Sequence, residues 1–379
     1  MKKIILQING DFGKNFSGLR NLLIYEELKR EFEVSVICRK NYSKFKNNIY
    51  EPISFKNLIP KIFSFIKKYI YNNFNSSYYS NLLFDYFSKK YIKDANILIT
   101  FPPYLKSINK AKKEKIKIII NVNSLDIDYN LKYLKKECEK FNINYKSQIG
   151  TDKHNYLVKE SYLNSDYYFF QSEFSKKTFI ENGFKNKNNM FKVNNTFFKL
   201  NKKNNYLNLK KDNKFRILFI GSSMIRKGLY YLIEAFLKLD IENKELIILG
   251  DFVSKDEKKK FSKYFQYDSI KFKGYTNPEK YYQLCDIFIF PSLSEGAARV
   301  CYEAMSHGMP ILATKESGAP INKKYIIKSY NNKDIISKLN EIIKNKELKK
   351  ISSENFELSK KYNMNNYTKN ILNILKKII

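Results

Sequence analysis

Two carboxylates, Glu295 and Glu303, stand in a stretch whose punctuation places both beside one pocket. The stretch runs IFIFPSLSEGAARVCYEAMSHGMPILATKESG from Ile287 to Gly318. Ile287–Phe290 is an apolar run of strand length, closed by Pro291-Ser292 and followed by a polar loop. The spacing predicts a helix from Ala297 or Ala298 to about His307. Gly308 fits its C′ position, and Pro310 lies where the helix cannot continue. Ile311–Thr314 is the next strand. Glu295 therefore stands in the loop before the helix, and Glu303 about two turns into it. A helix N-terminus presents free N–H groups and a positive dipole end, a ready place for an anion. Upstream, Phe215–Gly221 reads as a strand, and Arg226-Lys227-Gly228 leads into a helix carrying Leu229, Leu232, Ile233, Phe236 and Leu237. Lys227, near that helix start, could point its ammonium at a diphosphate. Taken one at a time, these residues equally describe a helix cap and solvated helix charges.

The elements that must hold them alternate strand and helix in both halves of the chain. Lys3–Ile8 is a buried strand that runs into a polar loop with Gly10, Gly13 and Gly18. Ser17 is placed to cap the next helix, whose apolar positions are Leu19, Leu22, Leu23 and Leu28. Val34–Cys38 completes a βαβ opening. The glycine spacing matches neither G-x-G-x-x-G nor the P-loop. Asn96–Phe101, Lys117–Val122 and Asp166–Phe170 are further strands. Ser172 caps a helix to Asn182, with Gly183 at C′. Residues 127–150 match no pattern. Asn123, at a strand end, cannot act as a base, and His154 reads as a surface histidine. The Lys- and Asn-rich segment 199–214 reads as a linker. Beyond it come strands at Glu245–Leu249 and Ile270–Gly274. Helices are expected at Pro278–Cys285 (with proline at N1), Asp334–Asn345, Leu348–Tyr362 and Asn366–Ile378. The last has an apolar face, Ile371, Leu372, Ile374, Leu375 and Ile378, which must be buried somewhere.

At 379 residues and 43% hydrophobic content the chain can build two cores. Its net charge of +33 invites a nucleic-acid or membrane reading. The charge is spread, however: 36 basic and 18 acidic side chains fall in residues 1–200, and 34 and 19 in the remainder. Helix-turn-helix, RRM and OB patterns are absent, so no specific nucleic acid is expected. An anionic surface remains attractive to such a chain at low salt. Leu58–Tyr71 mixes apolar, aromatic and basic residues, which suits a helix docked on anionic lipid and equally a core helix with lysines outward. Cys38, Cys138, Cys285 and Cys301 form no C-x-x-C, as in a cytosolic protein with reduced thiols. With only His154 and His307, a histidine zinc site is not expected. The basic start is too short for a signal peptide, and no stretch has transmembrane length. The expected location is the cytoplasm, with any membrane contact peripheral, on the inner face of the plasma membrane.

The string from Glu295 resembles the donor-site signature of retaining glycosyltransferases of family 4, also called group 1. That signature is Glu, seven residues, Glu, then small residues and Gly-x-Pro, here Glu295, Glu303 and Gly308-Met-Pro310. Residues 221–228 resemble the family's Gly-Arg-x-x-x-x-Lys-Gly, with Lys227 at the lysine and Ser222 where arginine is usual. SDYYFFQSEFSKKTFIENGF resembles the end of the family's N-terminal domain. The resemblance is close over 215–320 and weaker over 1–40 and 155–197.

It implies an α/β fold of the GT-B type, two Rossmann-like domains with a donor cleft between them. Residues 1–198 would form the acceptor domain, 199–214 the linker and 215–362 the nucleotide-sugar domain, with 363–379 crossing back onto the first. It implies retaining transfer of a hexose-type sugar from a nucleotide diphosphate sugar to a glycan or lipid-linked acceptor, as in bacterial surface polysaccharide assembly. Glu295 would contact the sugar hydroxyls and Glu303 the ribose. The N–H groups of Ala297, Ala298 and Arg299 would lie near sugar or phosphates, Lys227 at the diphosphate, and the Gly18 loop near donor and acceptor. Arg299 replaces an apolar residue, so it either adds a cation or points away; Arg226 or Arg299 could compensate for Ser222. The nucleobase would lie near Ile270–Gly274. The leaving phosphate would take the acceptor's proton, so neither general base, cofactor nor metal is required. The competing readings are another GT-B enzyme, such as a nucleotide-sugar epimerase, and a non-catalytic basic protein that binds nucleic acid or acidic polymer.

Overall fold

The computed structural model describes residues 1–8, 10–53, 62–63, 65–66, 69, 75–184, 187–196, 206 and 212–379. Most of the Leu58–Tyr71 segment and of the 199–214 linker lies outside them. Among the described residues the chain forms two larger sheets, each wholly parallel. The first contains β1 (Lys3–Gln7), β3 (Glu33–Ile37), β5 (Ile49–Tyr50), β6 (Ile97–Thr100), β7 (Lys117–Val122), β8 (Tyr167–Phe170) and β9 (Met190–Lys192). Their order is β5-β3-β1-β6-β7-β8-β9, and a short ladder pairs β2 (Asp11–Phe12) with β4 (Lys40–Asn41). The second contains β10 (Phe215–Ile220), β11 (Lys244–Leu249), β12 (Ile270–Phe272), β13 (Ile287–Phe290), β14 (Ile311–Thr314) and β15 (Ile326–Ile327), ordered β12-β11-β10-β13-β14-β15. Parallel strands are covered on both faces, which is why their sequences are continuous apolar runs rather than alternating ones. Ile4 registers with Val34 and Ile97, and Ile217 with Leu246 and Ile287.

The first sheet separates two apolar clusters. Ile4, Leu6, Val34 and Val36 face the first helix (Asn15–Leu28) and the last (Met364–Ile378), which contributes Tyr367, Ile371, Leu375 and Ile378. The apolar face of the last helix is thus buried on the first sheet. Ile5, Leu98, Ile118 and Ile120 face the opposite way, onto Phe84, Ile108, Val158 and Phe179.

Several expectations are corrected. The first helix begins at Asn15, with Lys14 at its N-cap and no side-chain cap, so Ser17 lies within the first turn. The positive φ of Gly13 and Asn15 turns the chain early. Leu19 is 40% exposed, whereas Leu22 and Leu23 pack half-buried against the core beside the buried Ile24, Tyr25 and Leu28. Pro278 is the N-cap of its helix, Glu279–Leu284, rather than N1. Residues 127–150 form helices Ile127–Lys140 and Lys146–Ile149. Leu134, Cys138 and Ile143 from this region join the core of the second sheet, packing across from the first half of the chain.

Candidate active site in the interdomain cleft

β10 and β13 are neighbours in the second sheet, while β11 lies outward from one and β14 from the other. The strand order reverses between them, and the loops beyond their carboxyl ends bound a crevice of the kind that holds ligands in open α/β sheets. β10 delivers residues 221–228 to it, and β13 delivers residues 291–298.

Gly228 starts the helix Leu229–Lys238 at φ 71°, and a Cβ there would stand 2.0 Å from the Pro291 carbonyl oxygen. Only glycine brings the two loops this close. The Lys227 side chain lies over Gly221, where a Cβ would be 2.2 Å from its Cδ. It passes 5.0 Å from the centroid of the Phe290 ring and ends on Glu295. Lys227 Nζ donates to Glu295 Oε1 at 2.6 Å, and Arg226 Nη1 donates to the same oxygen at 2.8 Å. Arg226 Nη1 also donates to the Ser294 carbonyl at 2.6 Å. Side-chain exposure is 14% for Lys227, 24% for Arg226 and 17% for Glu295. Burial pushes the Glu295 carboxyl up, but Arg226 and Lys227 together outweigh it and hold it below the usual carboxylate range. Burial lowers the Lys227 ammonium below its ordinary value against the pull of Glu295. The unsatisfied excess in this trio is positive, on the cleft side of the second domain.

The sequence placed Lys227 on a diphosphate and Glu295 on a sugar; the structure brings both together with Arg226 as one ion cluster. Glu303 stands apart, accepting from Tyr282 Oη at 3.4 Å and paired with Arg299 Nε at 3.0 Å. Burial raises its carboxyl, with Arg299 and Tyr282 pulling the other way. The Arg299 guanidinium also lies 4.4 Å from the centroid of Phe16, on the first helix. Arg299 is therefore engaged with Glu303 and the first domain, rather than joining Lys227. His307 caps its helix, with Nδ1 2.9 Å from the Glu303 carbonyl.

The helix carrying Glu303 is Arg299–Ser306, with Ala298 at its N-cap. The Ala298 N–H donates to the Ser317 carbonyl at 2.8 Å, in the turn after β14. The backbone of Gly296 and Ala297 faces the first domain. Ser172 Oγ donates to the Gly296 carbonyl at 2.5 Å, and Asn195 Nδ2 to the Ala297 carbonyl at 2.9 Å. A Cβ at Gly296 would stand 2.3 Å from the Asn123 carbonyl oxygen. Ser222 Oγ accepts from the Asp251 N–H at 3.4 Å. Gly18 lets the first helix meet the preceding loop, since its Cβ would lie 2.0 Å from the Asp11 carbonyl oxygen.

Sequence reasoning missed the opposite wall. A cavity of about 310 Å³ lies between Arg226, Glu295 and Gly296 on one side and residues 123–162 on the other. His154, read from sequence as a surface residue, lines it and is half-buried; burial lowers its imidazole below the ordinary value. Asn130 Oδ1 accepts from Ser294 Oγ at 2.5 Å across the cleft. Glu257, fully buried, accepts from the N–H of Ile225 at 3.0 Å, of Val253 at 2.8 Å and from Gln148 Nε2 at 3.2 Å, fastening the Arg226–Lys227 loop to this wall. The Gly150-Thr151 pair, a turn and then an N-cap, was the available signal for the helix that presents His154 and Asn155.

Residues 202–358 match the family described as glycosyl transferases group 1. Protein CapJ of Staphylococcus aureus is 34% identical over 169 residues, 42% of this chain and 42% of that protein, so the match spans about two fifths of that relative's length. Sucrose-phosphate synthase from Thermosynechococcus elongatus superposes with a TM-score of 0.66 at 14% identity, over 100% of this chain and 99% of that one. Anabaena HepE, solved in complex with UDP and glucose, gives 0.60 at 14% identity over 100% of both chains.

Proposed function

Given a second domain that matches the group 1 glycosyl transferases and a whole chain with the GT-B fold, we propose that this protein transfers a hexose-type sugar from a nucleotide diphosphate donor to a glycan or lipid-linked acceptor with retention of configuration, in the assembly of a bacterial surface polysaccharide. The observation that carries this reading is the Lys227–Glu295–Arg226 cluster at the switch point of the second sheet. Breaking the C–O bond between the sugar and the diphosphate leaves negative charge on the leaving phosphate. Two partly buried cations held ready by one carboxylate act where that charge develops, at little reorganisation cost. As the phosphate takes up the Lys227 ammonium, Glu295 is released toward the sugar hydroxyls. The acceptor hydroxyl attacks from the same face as the departing phosphate. Its proton passes to that phosphate, which leaves as nucleoside diphosphate, so the step needs neither a protein base nor a metal. Glu303 takes the ribose hydroxyls. The aromatic groove of about 510 Å³ beside Gly250 and Gly274, walled by Phe252 and Phe272, lies at the edge where the base would rest.

A panel of nucleotide diphosphate sugars, read by thermal shift and then by release of nucleoside diphosphate, tests the reading. One or more donors should raise the melting temperature, because a ligand bound only by the folded state stabilises it. Neither stabilisation nor turnover across UDP, GDP, ADP and dTDP sugars would remove the proposal.

A further inference from the structure

Arg299 joins Glu303 to the first domain. It opens the helix Arg299–Ser306, one turn before Glu303 on the same face. Its Nε lies 3.0 Å from Glu303 Oε1, and its guanidinium lies 4.4 Å from the centroid of the Phe16 ring across the cleft. Arg299 stands where the family resemblance leads to an apolar residue, so neither contact follows from that resemblance. Phe16 is in place because Gly13 and Asn15, at φ 80° and 57°, start the first helix at Asn15 and put Phe16 in its first turn. Had the helix begun after Ser17, Phe16 would belong to the loop. A second guanidinium, that of Arg20, lies 5.8 Å from the same ring and 5.7 Å from that of Tyr367. Cations on aromatic faces hold their rings in turn.

Glu303 is faced by Arg299, the buried Cys301 thiol and His307 from its own helix, and by Tyr282 from the helix Glu279–Leu284. Among these Arg299 alone carries a fixed charge. Burial raises the Glu303 carboxyl above its ordinary value, and Arg299 is the strongest pull the other way. A carboxyl accepts from both hydroxyls of a ribose only when ionised, since a protonated one spends an acceptor site on its own proton. Arg299 on Oε1 and Tyr282 on Oε2 leave lone pairs on both oxygens, and 26% of the Glu303 side chain stays open to a ligand.

Resting on the donor reading above, we infer that Arg299 and Phe16 are positioning residues for the nucleotide: Arg299 keeps Glu303 charged and turned toward the ribose, and Phe16, reaching from the other domain, keeps Arg299 on Glu303. The first domain thereby takes part in nucleotide recognition without touching the nucleotide. Any opening that lifts Phe16 from Arg299 loosens the ribose site at the same moment.

The test titrates UDP calorimetrically into the full chain and its variants at about pH 8, pH 6.5 and pH 5. The Glu303 carboxyl is raised, so its ionised form, and the ribose contact with it, is lost as pH falls through the folded value. Without Arg299 that value rises further and the loss begins at higher pH. The deficit of Arg299→Gln against the wild type should therefore widen by up to about tenfold from about pH 8 to about pH 5. The UDP phosphate titrates alike in every protein and cancels in the ratio. Phe16→Leu should show the same trend at about two- to fivefold, Phe16→Tyr should bind as the wild type does, and Arg299→Lys should restore most of the pH profile. In a Glu303→Gln background, Phe16→Leu should have no further effect on UDP. Melting curves establish that each variant is folded. A ratio for Arg299→Gln that is flat with pH, wild-type UDP affinity in Phe16→Leu, or a Phe16 effect that persists without the Glu303 carboxylate would each overturn the inference. Wild-type binding is measured first, with GDP and ADP in place of UDP if UDP does not bind. Failure of all three strikes the donor reading and this inference with it, whereas binding indifferent to Arg299 and Phe16 strikes this inference alone.

Discussion

Replacing Glu295 by Gln removes one negative charge from between two cations and leaves the shape of the side chain almost unchanged. Breaking a buried ion pair from one side costs about 3–5 kcal/mol, because the partner's charge stays buried. Two features reduce that here. Lys227, Arg226 and Glu295 keep 14%, 24% and 17% of their side-chain surface, and Gln still offers one acceptor oxygen. The expected loss is about 2 kcal/mol, or about 4–8 °C in melting temperature for a domain of this size. The diagnostic response is to added UDP. In the variant the diphosphate supplies the counter-charge that Glu295 no longer provides, so UDP should stabilise Glu295→Gln by more degrees than it stabilises the wild type. Turnover should fall further than donor affinity, since the carboxylate is no longer present for the sugar. Differential scanning fluorimetry with a UDP titration, then steady-state kinetics on a productive donor, measures all of this. A variant that melts with the wild type and gains no extra stabilisation from UDP would refute the idea that Glu295 is the cluster's counter-ion.

Glu303→Gln should weaken donor binding by about 10- to 100-fold with a smaller effect on turnover, the signature of a contact present before and during the reaction; equal UDP affinity for both proteins would contradict it. Gly296→Ala must push the loop off Asn123, where the new Cβ would be 2.3 Å from backbone oxygen; it should widen the molecule in small-angle scattering and lower turnover, and an unchanged radius with full activity would count against the contact. His154 has its folded pKa depressed below the ordinary 6.5, so the stability it contributes is present above that value and is lost as pH falls through the folded pKa. Chemical denaturation of His154→Gln at about pH 7 and about pH 5 should show a shallower loss than the wild type. Ile371→Ala, at a position 2% exposed in the core that the last helix shares with the first sheet, should cost about 2–5 kcal/mol, and a melt within error of the wild type would show that this helix packs loosely.

The strands were readable because parallel β-strands are buried on both faces and therefore apolar throughout. Glu295, Glu303 and Lys227 were readable because their spacing from glycines and prolines fixes them on particular turns and helices. Their partners were not. Lys227 and Glu295 are 68 residues apart in sequence, and their contact depends on β10 and β13 being neighbours, which sheet order alone determines. Ser17 was a sound cap by type, but the positive-φ turn at Gly13 and Asn15 started the helix before it. Residues 127–150 gave no pattern because their inward positions answer to the other half of the chain: Leu134 and Cys138 to the second core, Glu137 to Tyr231 Oη at 2.7 Å and Asn130 to Ser294. The helix Ile127–Lys140 buries a single face, but Asn130 and Glu137 on that face are polar and break the apolar stripe that sequence would show.

The chain passes between its domains twice, once after β9 and once before the last helix, and Thr196 Oγ1 donates to the Tyr362 carbonyl at 2.5 Å where the two passages meet. The Tyr362 ring also rests edge-on against Tyr302 at 5.3 Å. Two attachments side by side make a door hung on adjacent pins. A swing between the halves about that one corner would keep both attachments intact. Displacement grows with distance from the pins, so a given opening angle moves the far lip of the cleft most and the pinned corner hardly at all. Opening at the far lip must part more than hydrogen bonds such as Asn130 to Ser294 and Ser172 to Gly296: Leu134, Cys138 and Ile143 have to leave the core of the second sheet as well.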